Sequence, residues 1–534
     1  MTDTTPRRSG TFARGAVASP NHLATAAGRE VLAAGGNAVD AAVATGLVLA
    51  VVTPYHCGFG GDLLAIVWDG QAEGLFSIGR SPAGATPEAV RAVLDARIAA
   101  GEEPIASFPG TAGMPDRGPL SVTVPGAVAG WLELLERHGT LSPEQVAAPA
   151  LRHAEEGFII SAYAAATVTA ARPRLGREPG WEPTFGHLRE GERFVQPALA
   201  RTIRAVVDGG ADAYYRGPIA EHIAETLAAH GSTMTTEDIA AHEVEWVRPI
   251  SAGYRGLTVL ELPPPTQGIS ALTALAILDE LGPLPADPAE AVHLQAEAIR
   301  AAMADRQEHV GDPDVMRTTP EELLDPERIR AIAATVDRSR AGAWPTARPA
   351  PGGTAYLCTA DADGMLVSLI QSNFKGFGSG VVVEADGFGL HNRGSHFSLD
   401  PADANAIGPR RRPLHTLVPA MVLDGDRPRY VMGTMGGDAQ PQVHVQLLGQ
   451  LVDRGLAPAE ALAAPRFVVD VGDGSVMVEP QMDAAVVDGL TGRHHTVTTL
   501  PKTPLAGQAH LIEVTPDGYR VASEPRCDSG AAGI

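Results

Sequence analysis

The stretch Gly352-Gly353-Thr354-Ala355-Tyr356-Leu357-Cys358-Thr359-Ala360-Asp361-Ala362-Asp363-Gly364 organises the reading of the chain. Tyr356 to Ala360 has the make-up of a strand, Asp363-Gly364 is a hairpin turn signal, and Met365 to Ile370 supplies the return strand. Two glycines stand directly before Thr354, which opens the first strand. A cut between Gly353 and Thr354 would free an α-amine beside the threonine's own hydroxyl. With an ordinary pKa of roughly 7.7–8.0, that amine is partly neutral at pH 7 and can act as the base for the hydroxyl. Gly353, lacking a Cβ, can take the backbone angles that a strained scissile bond requires.

Bulk properties narrow the field. The 534 residues suffice for two to four ordinary domains or one large α/β body, and an apolar fraction of 44% provides a sizeable core. The formal charge of −22 argues against nucleic acid and anionic membrane surfaces as partners. The basic residues include only two lysines, Lys375 and Lys502, so a bound anion would have to meet locally concentrated arginines. Cys57, Cys358 and Cys527 form neither a disulfide framework nor a metal-ligand spacing, and no metal or other cofactor is expected. Asp361-Ala362-Asp363-Gly364 reads as a turn rather than a metal loop. Met1 to Gly28 lacks the apolar core of a signal peptide, and the longest apolar run, Ala41 to Val52, is too short to span a bilayer of about 30 Å. A cytoplasmic protein is expected.

Strand and helix patterns alternate along the chain. Helices are expected at Ala24 to Ala34, Ala38 to Val52, Gly126 to His138, Gly268 to Leu281, Pro288 to Gln307 and Gln440 to Arg454. Strands are expected at Leu63 to Trp68, Ser121 to Val124, Thr258 to Leu262 and Gly380 to Glu384, and near 418–424 and 429–433. Residues 336–353, rich in Ser, Arg, Ala, Pro and Gly, read as a flexible surface linker. The strands after 354 are short and apolar, so they are expected to pair with strands of the first half. Cleavage would then leave pieces 1–353 and 354–534 sharing one α+β core.

Several short motifs recur in one order. They are Leu32-Ala33-Ala34-Gly35-Gly36-Asn37-Ala38-Val39-Asp40-Ala41-Ala42, Gly58-Phe59-Gly60-Gly61 and Ser121-Val122-Thr123-Val124-Pro125-Gly126. Then follow Pro263-Pro264-Pro265-Thr266, Ala304-Asp305-Arg306, Val310-Gly311-Asp312-Pro313, Phe377-Gly378-Ser379-Gly380 and Met435-Gly436-Gly437. With these motifs the chain resembles the γ-glutamyltranspeptidase family of threonine N-terminal-nucleophile hydrolases. The resemblance implies a four-layer αββα sandwich, made as a precursor that cuts itself into two subunits. It implies that Thr354 is the nucleophile, that Ser372 orients it, and that the Gly436 and Gly437 amides form the oxyanion hole. It further implies a heterodimer of the two fragments, alone or paired.

The chain departs from the family where the substrate is held. His396 aligns with the family's amino-binding aspartate and Arg393 with a glutamine. Phe374 takes the place of an asparagine, and His415-Thr416 that of paired serines. The family's carboxylate-clamping arginine has its nearest match in Arg80, displaced by about two positions. The second threonine of the family's pair is Ala355. A buried ammonium without a carboxylate costs several kcal/mol. A pocket of Arg80, Phe374, Arg393, His396, His415 and Thr416 therefore suits a small molecule that bears a carboxylate but no α-ammonium. Hydrolysis of an amide or acyl bond beside that carboxylate is the leading expectation. A γ-glutamyl hydrolase or transferase acting on glutathione, a C–C bond hydrolase of an antibiotic pathway, and an unprocessed binding module are the alternatives.

Overall fold

The computed structural model describes residues 7–102, 104–107, 109–345, 352–501 and 507–534. Two seven-stranded antiparallel sheets lie face to face. The first runs Gly530–Gly533, Ala16–Ser19, Gly353–Ala360, Leu366–Phe374, Asp62–Trp68, Ala72–Ser77, Glu245–Val247. The second runs Ser9–Phe12, Gly518–Ser523, Gln508–Thr515, Arg427–Met435, Ala420–Asp424, Leu257–Glu261, Ile250–Tyr254. Strands from both sides of residue 353 join in each sheet: Gly353–Ala360 pairs with Ala16–Ser19, and Leu366–Phe374 with Asp62–Trp68.

Every residue of Gly353–Ala360 and Leu366–Phe374 is buried. Alternate side chains go to opposite faces. Tyr356, Cys358 and Ala360 meet Met421, Val431 and Ile512 between the sheets, whereas Ala355 and Leu357 pack outward with Val39, Val43 and Val48. A strand covered on both faces reads as one apolar run, which is why this hairpin stood out. The helices His22–Ala33, Ala38–Val52 and Ala127–His138 cover the first sheet. Gly268–Leu281, Pro288–His309 and Ala439–Leu448 cover the second. The result is the expected αββα sandwich.

Local chemistry explains the element ends. Gly35, at φ +95°, ends the first helix, and Asn37 caps the second through a reciprocal bond with Asp40. Asp361 closes the hairpin by accepting from the amides of Asp363 and Met365. Three local expectations are corrected. Ser121–Val124 joins no sheet: Pro119–Ser121 is a 3-10 turn, and the following residues lie so close to Gly79 that a Cβ there would overlap Val124 O. Only Val382–Val383 of the 380–384 run is strand. The linker at 336–353 is anchored over its first part. Glu297 accepts from Gly342 N at 2.9 Å and Trp344 Nε1 at 2.7 Å, and Ala341 N donates to Arg493 O at 2.7 Å. Residues 346–351 of that linker lie outside the described residues.

Candidate active site

Thr354 lies at an irregularity in the hairpin. Gly353 pairs with Phe374 and Ala355 with Gln371, so a bulge sets both Ser372 and Asn373 against Thr354. The bulge aims the Ser372 hydroxyl at three backbone and side-chain groups. Phe374 N donates to Ser372 Oγ at 2.7 Å, and Ser372 Oγ donates to Gly353 O at 2.9 Å. The remaining lone pair faces Thr354 Oγ1 at 3.0 Å and can accept its proton. Phe374 holds φ +72°, a strained value for an aromatic residue. Its ring stacks on His396 at 5.5 Å, and the Arg393 guanidinium lies 4.1 Å from its centroid.

A carboxylate that sequence reading missed organises the pocket. Asp62 opens the strand beside Ser372, in register with it. The glycine turn before it permits that approach, since a Cβ on Gly61 would stand 2.7 Å from Ser372 O. On Asp62 Oδ2 converge His415 Nε2 at 3.0 Å, His391 Nδ1 at 3.3 Å and Arg393 Nε at 3.8 Å. All four side chains are fully buried. Burial would raise the Asp62 carboxyl, but His391 and then His415 outweigh it and hold it well below the usual carboxylate range. Burial pulls Arg393 down to about 10, with Asp62 opposing, so it stays charged at neutral pH. Burial and Arg393 lower His415, against the pull of Asp62 and the Pro413 carbonyl, 2.8 Å from Nδ1. Arg393 Nη1 donates to Thr416 Oγ1 at 3.1 Å, while its Nε and Nη2 have no hydrogen-bond partner.

Gly436 and Gly437 form a turn at φ +139° and +59° that leads into the helix Ala439–Leu448. A Cβ on Gly352 would stand 3.0 Å from Gly437 N, so the turn lies against the residue preceding Gly353. Gln267, also missed in the sequence, fixes this turn. Its Nε2 donates to Gly437 O at 2.8 Å and to Thr416 O at 3.0 Å. Its Oε1 accepts from Arg306 Nη1 at 2.7 Å, and Arg306 also pairs with Asp438. One buried amide thus ties the glycine turn to the segment carrying His415 and Thr416.

Of the residues singled out in the sequence, Gly353, Thr354, Ser372, Phe374, Arg393, His396, His415 and Thr416 form one buried group, with Gly436 and Gly437 against its edge. Arg80 stands apart. It is about one-third exposed and is held by Asp314 at 3.2 Å, Glu245 at 3.5 Å and Arg410 O at 3.0 Å. The buried cation facing Phe374 is Arg393 instead. Elsewhere, His293, Glu297 and His495 bring three metal-capable groups together. Hydrogen bonds account for them: His293 Nδ1 meets His495 Nε2 at 2.7 Å, and Glu297 is held by Arg300, Gly342 and Trp344.

A four-layer sandwich with this strand arrangement defines an N-terminal-nucleophile hydrolase. The chain belongs to the gamma-glutamyltranspeptidase family, which it matches over residues 24–534. It is 34% identical to the glutathione hydrolase-like YwrD proenzyme of Bacillus subtilis, over 97% of this chain and 98% of that one. It is also 34% identical to the oxamate amidohydrolase proenzyme of Klebsiella pneumoniae, over the same shares. The solved cephalosporin acylase of Bacillus halodurans superposes with a TM-score of 0.91 at 36% identity, covering 100% of this chain and 98% of that one. The protein is an amide hydrolase of this type, made as one chain that yields two fragments, and it acts on small molecules. Among the described residues no helix is long and apolar enough to cross a membrane.

Proposed function

We propose that this enzyme hydrolyses an amide bond next to a carboxylate in a small molecule, of the oxamate type, through an ester on Thr354. The observation that carries this reading is Arg393: fully buried, charged, and with two nitrogens lacking a hydrogen-bond partner. A substrate carboxylate supplies what those nitrogens lack. An α-ammonium would instead meet a guanidinium, and Asp62, the nearest carboxylate, is already hydrogen-bonded to His415 and flanked by His391.

The same atoms serve maturation and turnover. In the precursor, Thr354 Oγ1 attacks the Gly353 carbonyl carbon while Ser372 donates to Gly353 O. The Gly353–Thr354 C–N bond breaks, the Thr354 amine takes the proton, and water then hydrolyses the ester. This leaves fragments 1–353 and 354–534, held as one heterodimer by their interleaved strands. In turnover Thr354 Oγ1 attacks the substrate amide, its own amine carries the proton to the leaving amine, and the Gly436 and Gly437 amides hold the oxyanion. Water attacks the acyl-enzyme to release the acid.

Intact mass and N-terminal sequencing test the first half: a 181-residue fragment must begin at Thr354. Thr354→Ala should remain uncut and inactive, and cleavage or turnover by that variant overturns the nucleophile. Mature enzyme offered oxamate and glutathione tests the second half. Oxamate turnover with little or no γ-glutamyl release is expected, and the reverse preference overturns the pocket assignment.

A further inference from the structure

Gln267 stands at the head of the helix Gly268–Leu281, where a short polar side chain ordinarily caps the first turn. Its side chain does not cap. The adjacent Thr266 hydroxyl accepts from Gly268 N at 3.2 Å instead, which leaves the Gln267 amide for partners elsewhere in the chain. The amide is buried and makes three bonds: Nε2 donates to Gly437 O at 2.8 Å and to Thr416 O at 3.0 Å, and Oε1 accepts from Arg306 Nη1 at 2.7 Å. Turned over, it would set its oxygen against two carbonyl oxygens and its NH2 against a guanidinium, so its orientation is fixed.

Of the groups it holds, the glycine turn has the greatest need of a clamp. Gly436 and Gly437 have no side chains to pack, and at φ +139° and +59° they use backbone freedom that glycine alone has in full. An oxyanion hole works only when its amides are aimed before charge develops. Gly437 O is held by Gln440 N at 3.1 Å and by Gln267 Nε2. The first bond lies within the turn and its own helix; the second ties the turn to a separate element. The segment carrying His415 depends less on the amide. Its backbone is bonded to the Pro265–Gln267 turn twice, His415 N to Pro265 O at 2.7 Å and Gln267 N to His415 O at 2.9 Å. The self-cut proposed above does not draw on the amide either, since the donor to Gly353 O is Ser372.

We propose that Gln267 is a positioning residue for turnover: its amide fixes the Gly436-Gly437 turn in the conformation that receives the oxyanion, and it has no part in maturation. This rests on the oxyanion role given above to Gly436 and Gly437.

Two variants test it. Gln267→Glu keeps the side-chain length and an acceptor for Arg306, but turns both donor bonds into contacts between oxygens. Gln267→Met keeps the length and removes all three bonds. Intact mass should show both maturing at a rate within about threefold of wild type, a barrier change of well under 1.4 kcal/mol. In the mature variants kcat should fall by about 10- to 100-fold, short of the loss of a whole oxyanion donor, while KM changes less than about threefold. Two substrates are read: oxamate, and 4-nitrophenyl acetate, whose acyl group bears no carboxylate. The ester reports on Thr354 and the glycine turn even if oxamate is not turned over. Gly437→Ala, which disfavours φ +59° in the turn itself, is the reference. A loss of kcat in Gly437→Ala but in neither Gln267 variant overturns this proposal alone. No loss in any of the three removes the oxyanion assignment, and the proposal with it. Equal slowing of maturation and turnover, or failure of both Gln267 variants to fold, makes Gln267 a prop of the fold and overturns the proposal.

Discussion

Ser372→Ala removes one oxygen that serves three partners. In the proposed cut Gly353 O becomes the oxyanion when Thr354 attacks, and Ser372 Oγ stands 2.9 Å from it, within the range of a working oxyanion donor. Losing one such donor costs about 2.7–4 kcal/mol of transition-state stabilisation, or roughly a 10²–10³-fold slower cut. The same change orphans the Phe374 amide, which donates to Ser372 at 2.7 Å inside a buried strand. An unsatisfied buried donor costs about 1–3 kcal/mol, which a domain of ordinary stability survives. The variant should therefore fold and accumulate as a 534-residue precursor. Intact mass spectrometry over hours to days follows the appearance of the 181-residue fragment. Ser372→Thr restores the hydroxyl and should restore cutting. If Ser372→Ala matures at the wild-type rate, the bridging hydroxyl is not part of the cleavage machinery and the hydrogen-bond argument is wrong.

Three further outcomes are expected. Arg393→Met should raise KM for carboxylate-bearing amides by about 10–150-fold, with a smaller effect on kcat, and Arg393→Lys should recover only part of it; steady-state kinetics at fixed pH check this. Asp62→Asn should lower unfolding stability by about 3–5 kcal/mol at pH 7, because Arg393 is left buried without its carboxylate. Asp62 has a depressed pKa when folded, so its contribution is present above the ordinary carboxylate pKa of about 3.9 and fades as pH falls through the depressed value. Urea titrations should show the gap between wild type and variant steady from pH 8 to 5; a gap absent at pH 7 refutes the charge hub. Lys375 acts in the alkaline range. Its folded pKa of about 8 lies below the ordinary 10.5, so the unfolded chain binds more protons between those values and wild-type stability should rise there by about 3 kcal/mol. Lys375→Met should flatten that rise, and an unchanged slope would show that Lys375 is not held in the partly buried position beside Asp116, 3.8 Å away.

Much of the fold was legible in residues 352–370, because a doubly covered hairpin has to be apolar throughout; the glycine pair before Thr354 is a common loop feature and took its meaning from the ordered motifs along the rest of the chain. The helices around Gly35-Gly36-Asn37 were legible for the same kind of reason: capping chemistry is local. What escaped was non-local. Asp62 reads as the end of a glycine turn, and only the pairing of its strand with Leu366–Phe374 puts it opposite Ser372. Gln267 reads as the residue after a proline run, and nothing in its neighbours reveals that its amide spans Gly437 and Thr416. Arg80 looked like a carboxylate clamp by sequence offset, yet Asp312, Asp314 and Glu245, distant in sequence, hold it near the surface.

The placement of Asp62 also supplies a physical basis for the charge preference proposed for the pocket. A carboxylate placed to face the substrate would select an ammonium. Here it faces away from that role, because one of its oxygens is hydrogen-bonded to His415 and approached by His391 and by the guanidinium of Arg393. At 3.8 Å, Asp62 compensates Arg393 electrostatically without satisfying its N–H groups. The desolvation of that guanidinium is already borne in folding, so an arriving carboxylate gains the hydrogen bonds against a preorganised partner. An arriving ammonium gains nothing comparable: to pair with Asp62 it would have to displace His415 from a 3.0 Å contact inside a sealed core. The proposed specificity thus rests on the order in which the charges are paired, with the protein's own carboxylate satisfied first and a substrate carboxylate left to complete the arginine.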